Sequence, residues 1–198
     1  MEVCQQSNQK KFISTKTSKH ILSLTQQKNQ IMKTLFISTI LALSSVIGFS
    51  QEKKTSPAAI AKKSISGVDI EIHYSQPSVK GREIWGELVP FGKVWRTGAN
   101  EATTISFSED VTILGQNLAS GTYALFTIPT EDNFTFIFNT EAKQWGAYKY
   151  DESKDALRVE NEAREVKEKQ EMMTFTIAED GMVSLHWENM VAEFQVKP

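Results

Sequence analysis

Val68-Asp69-Ile70-Glu71-Ile72-His73-Tyr74-Ser75 alternates apolar and polar residues without a break. Val68, Ile70, Ile72 and Tyr74 fall on one face, and Asp69, Glu71 and His73 on the other, which is the period of a half-buried β-strand. Gln76-Pro77 ends it, because proline has no N–H to give to a ladder. Downstream, Thr103–Phe107 and Val111–Leu114 are β-branched or aromatic runs, Gly121 opens the run Thr122–Ile128, Asn133–Asn139 alternates aromatic and small residues, and Leu157–Ala163 is a more charged strand candidate. Met172–Ala178, Val183–Trp187 and Val191–Val196 complete about nine short strands, with Gly115-Gln116-Asn117 read as a turn. Helical periodicity is nearly absent, so the pattern predicts an all-β domain, a single β-sandwich with jelly-roll-like character. The charged run Glu160–Glu171 has no sustained apolar stripe and reads as a long, solvent-facing hairpin rather than a helix.

One stretch departs from the alternation. Ser78–Ala99 contains four glycines and two tryptophans and is interrupted by Pro90. Its aromatic content argues against disorder, so it reads as a long ordered connection with one short helical turn at Arg82–Leu88. Long connections of this kind are commonly functional.

Upstream of Val68 the composition changes. Residues 1–31 are rich in Gln, Lys, Ser and Asn. Met32-Lys33-Thr34 then leads into an apolar run that ends at Gly48-Phe49-Ser50, the pattern of a secretory signal. The run is about 15 residues, short of the ~20 that a spanning helix needs. These features predict an N-terminal extension (1–31), a signal peptide (32–50) cleaved before Gln51, a polar lead-in (51–64) and a β-rich domain (65–198). The expected address is periplasmic or extracellular, with no membrane span after cleavage. Residues 1–50 hold six Lys and one Glu; the remainder keeps 16 basic and 23 acidic residues, a net charge near −7. That balance argues against nucleic acid as a partner. Cys4 is the only cysteine, so the exported domain has no disulfide and relies on its core.

No G-x-S-x-G elbow, P-loop, H-E-x-x-H or paired-cysteine motif occurs, and no cofactor or metal is implied. His73 and His186 both fall on the polar faces of strands. The densest cluster of interest is Trp95-Arg96-Thr97-Gly98-Ala99-Asn100-Glu101, shortly after Gly81-Arg82-Glu83-Ile84-Trp85-Gly86. Arginine offers a planar fork of donors for carboxylate, phosphate or sugar hydroxyls, and indole offers a flat apolar face. Arg82, Trp85, Trp95, Arg96, Asn100 and Glu101 are therefore the candidate ligand-binding residues. Their structural alternative is an internal ion pair of Arg96 with Glu101 that fixes the connection against the sheet, with Trp95 filling core volume. Trp145-Gly146-Ala147-Tyr148-Lys149-Tyr150 is a second aromatic group that either lines the same pocket or caps the core.

Together these strings resemble a known family. Tyr74-Ser75-Gln76-Pro77, Lys80-Gly81-Arg82, the run Leu88–Thr103, Gly121-Thr122-Tyr123 and Trp145-Gly146 resemble the domain of unknown function DUF2911. The resemblance covers essentially the whole chain after the signal and implies an exported protein of the kind typical of Bacteroidetes. Gln76 departs from it, standing where arginine is the more usual residue. The resemblance implies fold and compartment and carries no activity.

Three functions stay open at the level of sequence. The first is a noncatalytic module that binds a small polar ligand or glycan. The second is a hydrolase using Glu83 and Glu101 as paired carboxylates, which requires them roughly 5–10 Å apart. The third is a structural or interaction protein of the cell envelope.

Overall fold

A computed structural model describes residues 56–198. The expected extension (1–31), export signal (32–50) and start of the lead-in (51–55) lie outside the described residues. Nine strands occur among the described residues: β1 (Ala58–Ile65), β2 (Val68–Ser75), β3 (Thr104–Phe107), β4 (Val111–Ile113), β5 (Gln116–Leu118), β6 (Gly121–Pro129), β7 (Asn133–Asn139), β8 (Asp155–Ile177) and β9 (Met182–Lys197). They form one open antiparallel sheet in the order β1-β2-β3-β6-β7-β8-β9-β4-β5, an all-β, sandwich-like architecture. Among these residues no helix is long and apolar enough to cross a membrane.

The alternation in β2 is realised residue by residue. Val68, Ile70, Ile72 and Tyr74 are buried, while Asp69 and His73 are exposed. His73 lies beside Glu71 at the surface. A two-residue turn, Ser66-Gly67, with both φ angles positive (49° and 89°), joins β1 to β2. Such turns match the twist of a hairpin.

β1 stands where composition suggested a polar lead-in. It pairs along the whole of β2, from Ala58 opposite Ser75 to Ile65 opposite Val68. It is an edge strand whose half-buried face carries only Ala59, Ala61 and Lys63 before Ile65. An edge strand needs little apolar signal, because its ladder supplies the pairing.

The charged run is not a separate element either. The expected strands at Leu157–Ala163 and Met172–Ala178 are two ends of the 23-residue β8. Its first part pairs with β7 and the remainder with β9. β9 likewise joins Val183–Trp187 to Val191–Val196, with Glu188 at φ 53° between them. The outward faces of this long ribbon are polar, which hid its continuity. Gln116 and Asn117 belong to β5, and the tight turn is Leu114-Gly115.

β8 also closes the two layers. The Val79 N–H donates to the Glu171 carbonyl (2.8 Å) and the Met173 N–H to the Pro77 carbonyl (3.0 Å). The Phe175 N–H donates to the Tyr74 hydroxyl at 3.2 Å. Gln76, the departure noted above, donates to the Met173 carbonyl at 3.1 Å. Its side chain thus joins β2 to β8. Between the layers, Phe134, Phe136 and Phe138 from β7 meet Phe194, Leu185 and Trp187 from β9 in one core. Each fully buried side chain of this size contributes roughly 1.5–3 kcal/mol.

The connection from Ser78 to Ala102 is ordered but not helical. Arg82–Leu88 forms a closed turn, with the Val89 N–H on the Ile84 carbonyl (2.8 Å) and the Gly86 N–H on the Val89 carbonyl (3.0 Å). Gly86 at φ 88° takes the backbone out of the helical region. Among the described residues, the one short helical turn lies elsewhere, as a 3-10 turn at Glu152–Lys154. Trp95 then docks on β6 through reciprocal backbone bonds with Thr127 (2.8 and 2.9 Å). This seam packs Val94 against Phe126 and Ile137, on the side of β6–β7 away from the main core.

Candidate functional site

The connection and the bent sheet enclose a cleft of about 420 Å³. Its charged lining residues are Lys80, Arg82 and Arg96, with no Asp or Glu among the residues that line it. Trp95, Trp187, Leu88 and Val89 supply the apolar part of its wall. A wholly basic cleft in a domain with an excess of acidic residues is a local inversion of charge, and it favours an anionic occupant.

Each wall residue has a local reason for its place. The Arg82 Nε–H donates to the Val79 carbonyl at 3.1 Å, and its Nη2 donates to the Ser78 carbonyl. Two donors of the fork are thereby used to fold the guanidinium back on its own turn. The Lys80 amide donates to the Glu171 carboxylate at 3.0 Å, which anchors the backbone of that turn to β8. Trp95 stacks on Trp187, with ring centroids 5.8 Å apart and planes 16° apart.

Arg96 differs from its neighbours. Its Nε is buried and has no hydrogen-bond partner among the described residues, and the Nε1 atoms of Trp187 and of Trp85 are in the same condition. Trp187 is 1% exposed. A buried N–H without an acceptor costs about 1–3 kcal/mol. Two such donors border this one cleft.

The rest of the Trp95–Glu101 motif is satisfied internally. The Thr97 hydroxyl, on a fully buried side chain, reaches the Thr127 hydroxyl at 3.2 Å. The Thr103 hydroxyl donates to the Thr97 carbonyl at 2.7 Å. Asn100, at φ 62°, donates through Nδ2 to the Ser75 hydroxyl (3.1 Å) and the Ser56 carbonyl (3.4 Å). Asn and Gly are the residues that tolerate this backbone region. Asn100 therefore fastens the connection to the β1–β2 edge. Glu101 is exposed and forms a backbone bridge with Trp145.

Of the six candidates, Arg82, Trp95 and Arg96 come together in the basic cleft. Trp85 does not line it. Its ring packs edge-on against Trp95, Phe134 and Trp187 (centroids 5.8, 5.3 and 5.9 Å). It faces an adjoining acidic cleft of about 580 Å³, lined by Glu83, Glu131, Asp132, Glu165 and Glu188. Asn100 and Glu101 line neither cleft. Glu83 and Glu101, the pair that hydrolysis would need, thus share neither. Lys80 and Trp187 are among the cleft residues that were not candidates from the sequence. Trp187 was legible as an inward position of its strand, but its partnership with Trp95 depends on pairing across 92 residues.

Among the described residues no group of three His, Cys, Asp or Glu side chains is placed to hold a metal ion. The perturbed titrating groups lie away from the basic cleft. Burial, together with a hydrogen bond to Asp155, pushes the Tyr150 phenol up to about 12. Glu188 is raised by its burial, but the Lys169 ammonium and the Asn189 N–H outweigh this and hold it below the usual carboxylate range.

The fold and the motif together identify the class, a β-rich domain built around an indole-walled seam. The profile of the family "Protein of unknown function (DUF2911)" matches residues 56–196, and the chain belongs to that family. No curated protein and no solved structure matches the chain.

Proposed function

We propose that this protein is a noncatalytic, exported binding module that takes a small polar ligand carrying an acidic group, a carboxylate or an acidic sugar, into the basic cleft. The observation that carries this reading is the pair of buried donors without acceptors, Arg96 Nε and Trp187 Nε1, beside a cleft whose charges are all positive. A carboxylate supplies acceptors that a neutral ligand matches less well, and a bond between charged groups is roughly twice as strong as a neutral one. The faces of Trp95 and Trp187 suit the flat apolar side of a ring. Both donors are buried at the wall of the cleft, where the Trp95 and Arg96 side chains are half-buried.

Isothermal titration of residues 51–198 with D-galacturonate tests it. Binding is expected to weaken at least tenfold in Arg96→Ala and to fall with rising salt. Absence of binding, or equal binding by Arg96→Ala and Arg82→Ala, would refute the reading.

A further inference from the structure

A second cleft, of about 500 Å³, lies beside the loop that follows β7. It is lined by Gln144, Trp145 and Tyr148, by Lys143, Lys149 and Lys154, and by Glu141 and Asp151. Trp145 is 60% exposed and Tyr148 84%. Single exposed aromatics are ordinary on protein surfaces, but here two share one concave wall.

The loop that carries them is held from both sides. The Ala102 N–H donates to the Gln144 carbonyl (2.9 Å), and the Gly146 N–H to the Asn100 carbonyl (3.2 Å). Gly146 sits at φ 65°, and a Cβ there would meet the Tyr148 ring at 3.0 Å. Below the loop, Tyr150 packs edge-on against Phe126 (5.1 Å), and its hydroxyl donates to Asp155 at 2.6 Å. The two exposed rings therefore project from ordered backbone, so presenting them to a ligand carries little ordering cost.

Gln144 supplies an independent indication of a ligand. It is 8% exposed, and its Nε2 donates to the Glu141 carbonyl (2.7 Å) and the Asn139 Oδ1 (3.2 Å). Both partners are acceptors, which fixes the orientation of the amide. Its Oε1 is consequently directed away from them, and it is buried without a donor among the described residues. Gln144, a lining residue of the cleft, thus carries an acceptor in need of a donor, beside two exposed aromatic side chains and charges of both signs.

We infer that this cleft binds an uncharged mono- or disaccharide, one ring face on Trp145 and Tyr148 and a hydroxyl donated to Gln144 Oε1. The C–H face of a pyranose carries slight positive charge and complements the negative face of an aromatic ring. Its hydroxyls both donate and accept, which suits a lining of mixed sign. A volume of this size falls within the range of small-ligand sites. Three lysines in the lining disfavour a cationic occupant, and the acidic excess of the domain disfavours a nucleic acid. The site shares no lining residue with the basic cleft, and the inference stands whether or not that cleft binds acids.

Saturation-transfer NMR and titration with cellobiose, laminaribiose and lactose, using residues 51–198, test the inference. At least one of these sugars is expected to bind the native protein. Trp145→Ala should weaken that binding tenfold or more. Tyr148→Ala, at a position too exposed to affect folding, should weaken it several-fold. Lys80→Ala/Arg82→Ala should leave it unchanged. The inference is overturned if none of the three binds, if both aromatic variants bind as well as the native protein, or if the basic-cleft variant loses the sugar.

Discussion

Two halves of one motif behave oppositely. In the half formed by Thr97, Asn100 and Thr103, every hydrogen-bonding side chain has found a protein partner. In the half formed by Arg96 and the Trp187 indole against which Trp95 stacks, buried N–H groups have none. A connection that served stability alone would have no use for the second kind, since each costs free energy that a well-packed apolar group would not. The contrast separates frame from site within a few residues, and it makes opposite predictions for neighbouring substitutions.

The largest effect is expected at Trp187, which belongs to both halves by packing. Trp187→Ala should lower the unfolding free energy by about 3–5 kcal/mol, measured by chemical denaturation, because it empties the centre of the core. A loss under 1 kcal/mol would show that the indole cluster is not the keystone of the seam. On the frame side, Asn100→Ala removes two hydrogen bonds and leaves a non-glycine residue at positive φ. The expected destabilisation is about 2 kcal/mol, with affinity for an acidic ligand retained once folding is accounted for.

The frame beneath the second cleft has a pH signature. Tyr150 ionises near its ordinary value of 10 when unfolded, and near 12 when folded. A raised folded value means that its contribution is complete below pH 10 and is lost as pH rises toward 12. Thermal melts between pH 9 and 12 should fall more steeply for the native protein than for Tyr150→Phe. Coincident slopes would show that this phenol does not brace the loop. The smallest stability effect belongs to the site side. Arg96→Ala should change unfolding free energy by less than about 1 kcal/mol in either direction, while weakening acid binding at least tenfold. A large stability loss there would move Arg96 into the frame.

The alternation at Val68–Tyr74 was enough to read the architecture, because a half-buried strand has to alternate. β1 and the middle of β8 escaped for the same physical reason. Their pairing is carried by backbone bonds, to β2 and to β9, and such bonds leave little trace in side-chain hydrophobicity. Arg82, Trp95 and Arg96 were legible as a donor-and-indole cluster close in sequence. Lys80, Trp187 and Gln144 were not, since the significance of each depends on burial and on a partner, or the lack of one, that only tertiary structure creates. Asn100 looked like a ligand donor in sequence because nothing local shows that the Ser75 hydroxyl and Ser56 carbonyl lie within its reach.

The buried N–H groups themselves report on the central claim. In a ¹H–¹⁵N spectrum the Trp187 indole and Arg96 Nε–H resonances are each assignable by substitution. Titration with D-galacturonate should move both downfield as they gain an acceptor, while the Trp145 indole, outside the basic cleft, stays in place. Resonances that remain still at saturating acid, or movement confined to Trp145, would contradict the assignment of these donors to a ligand.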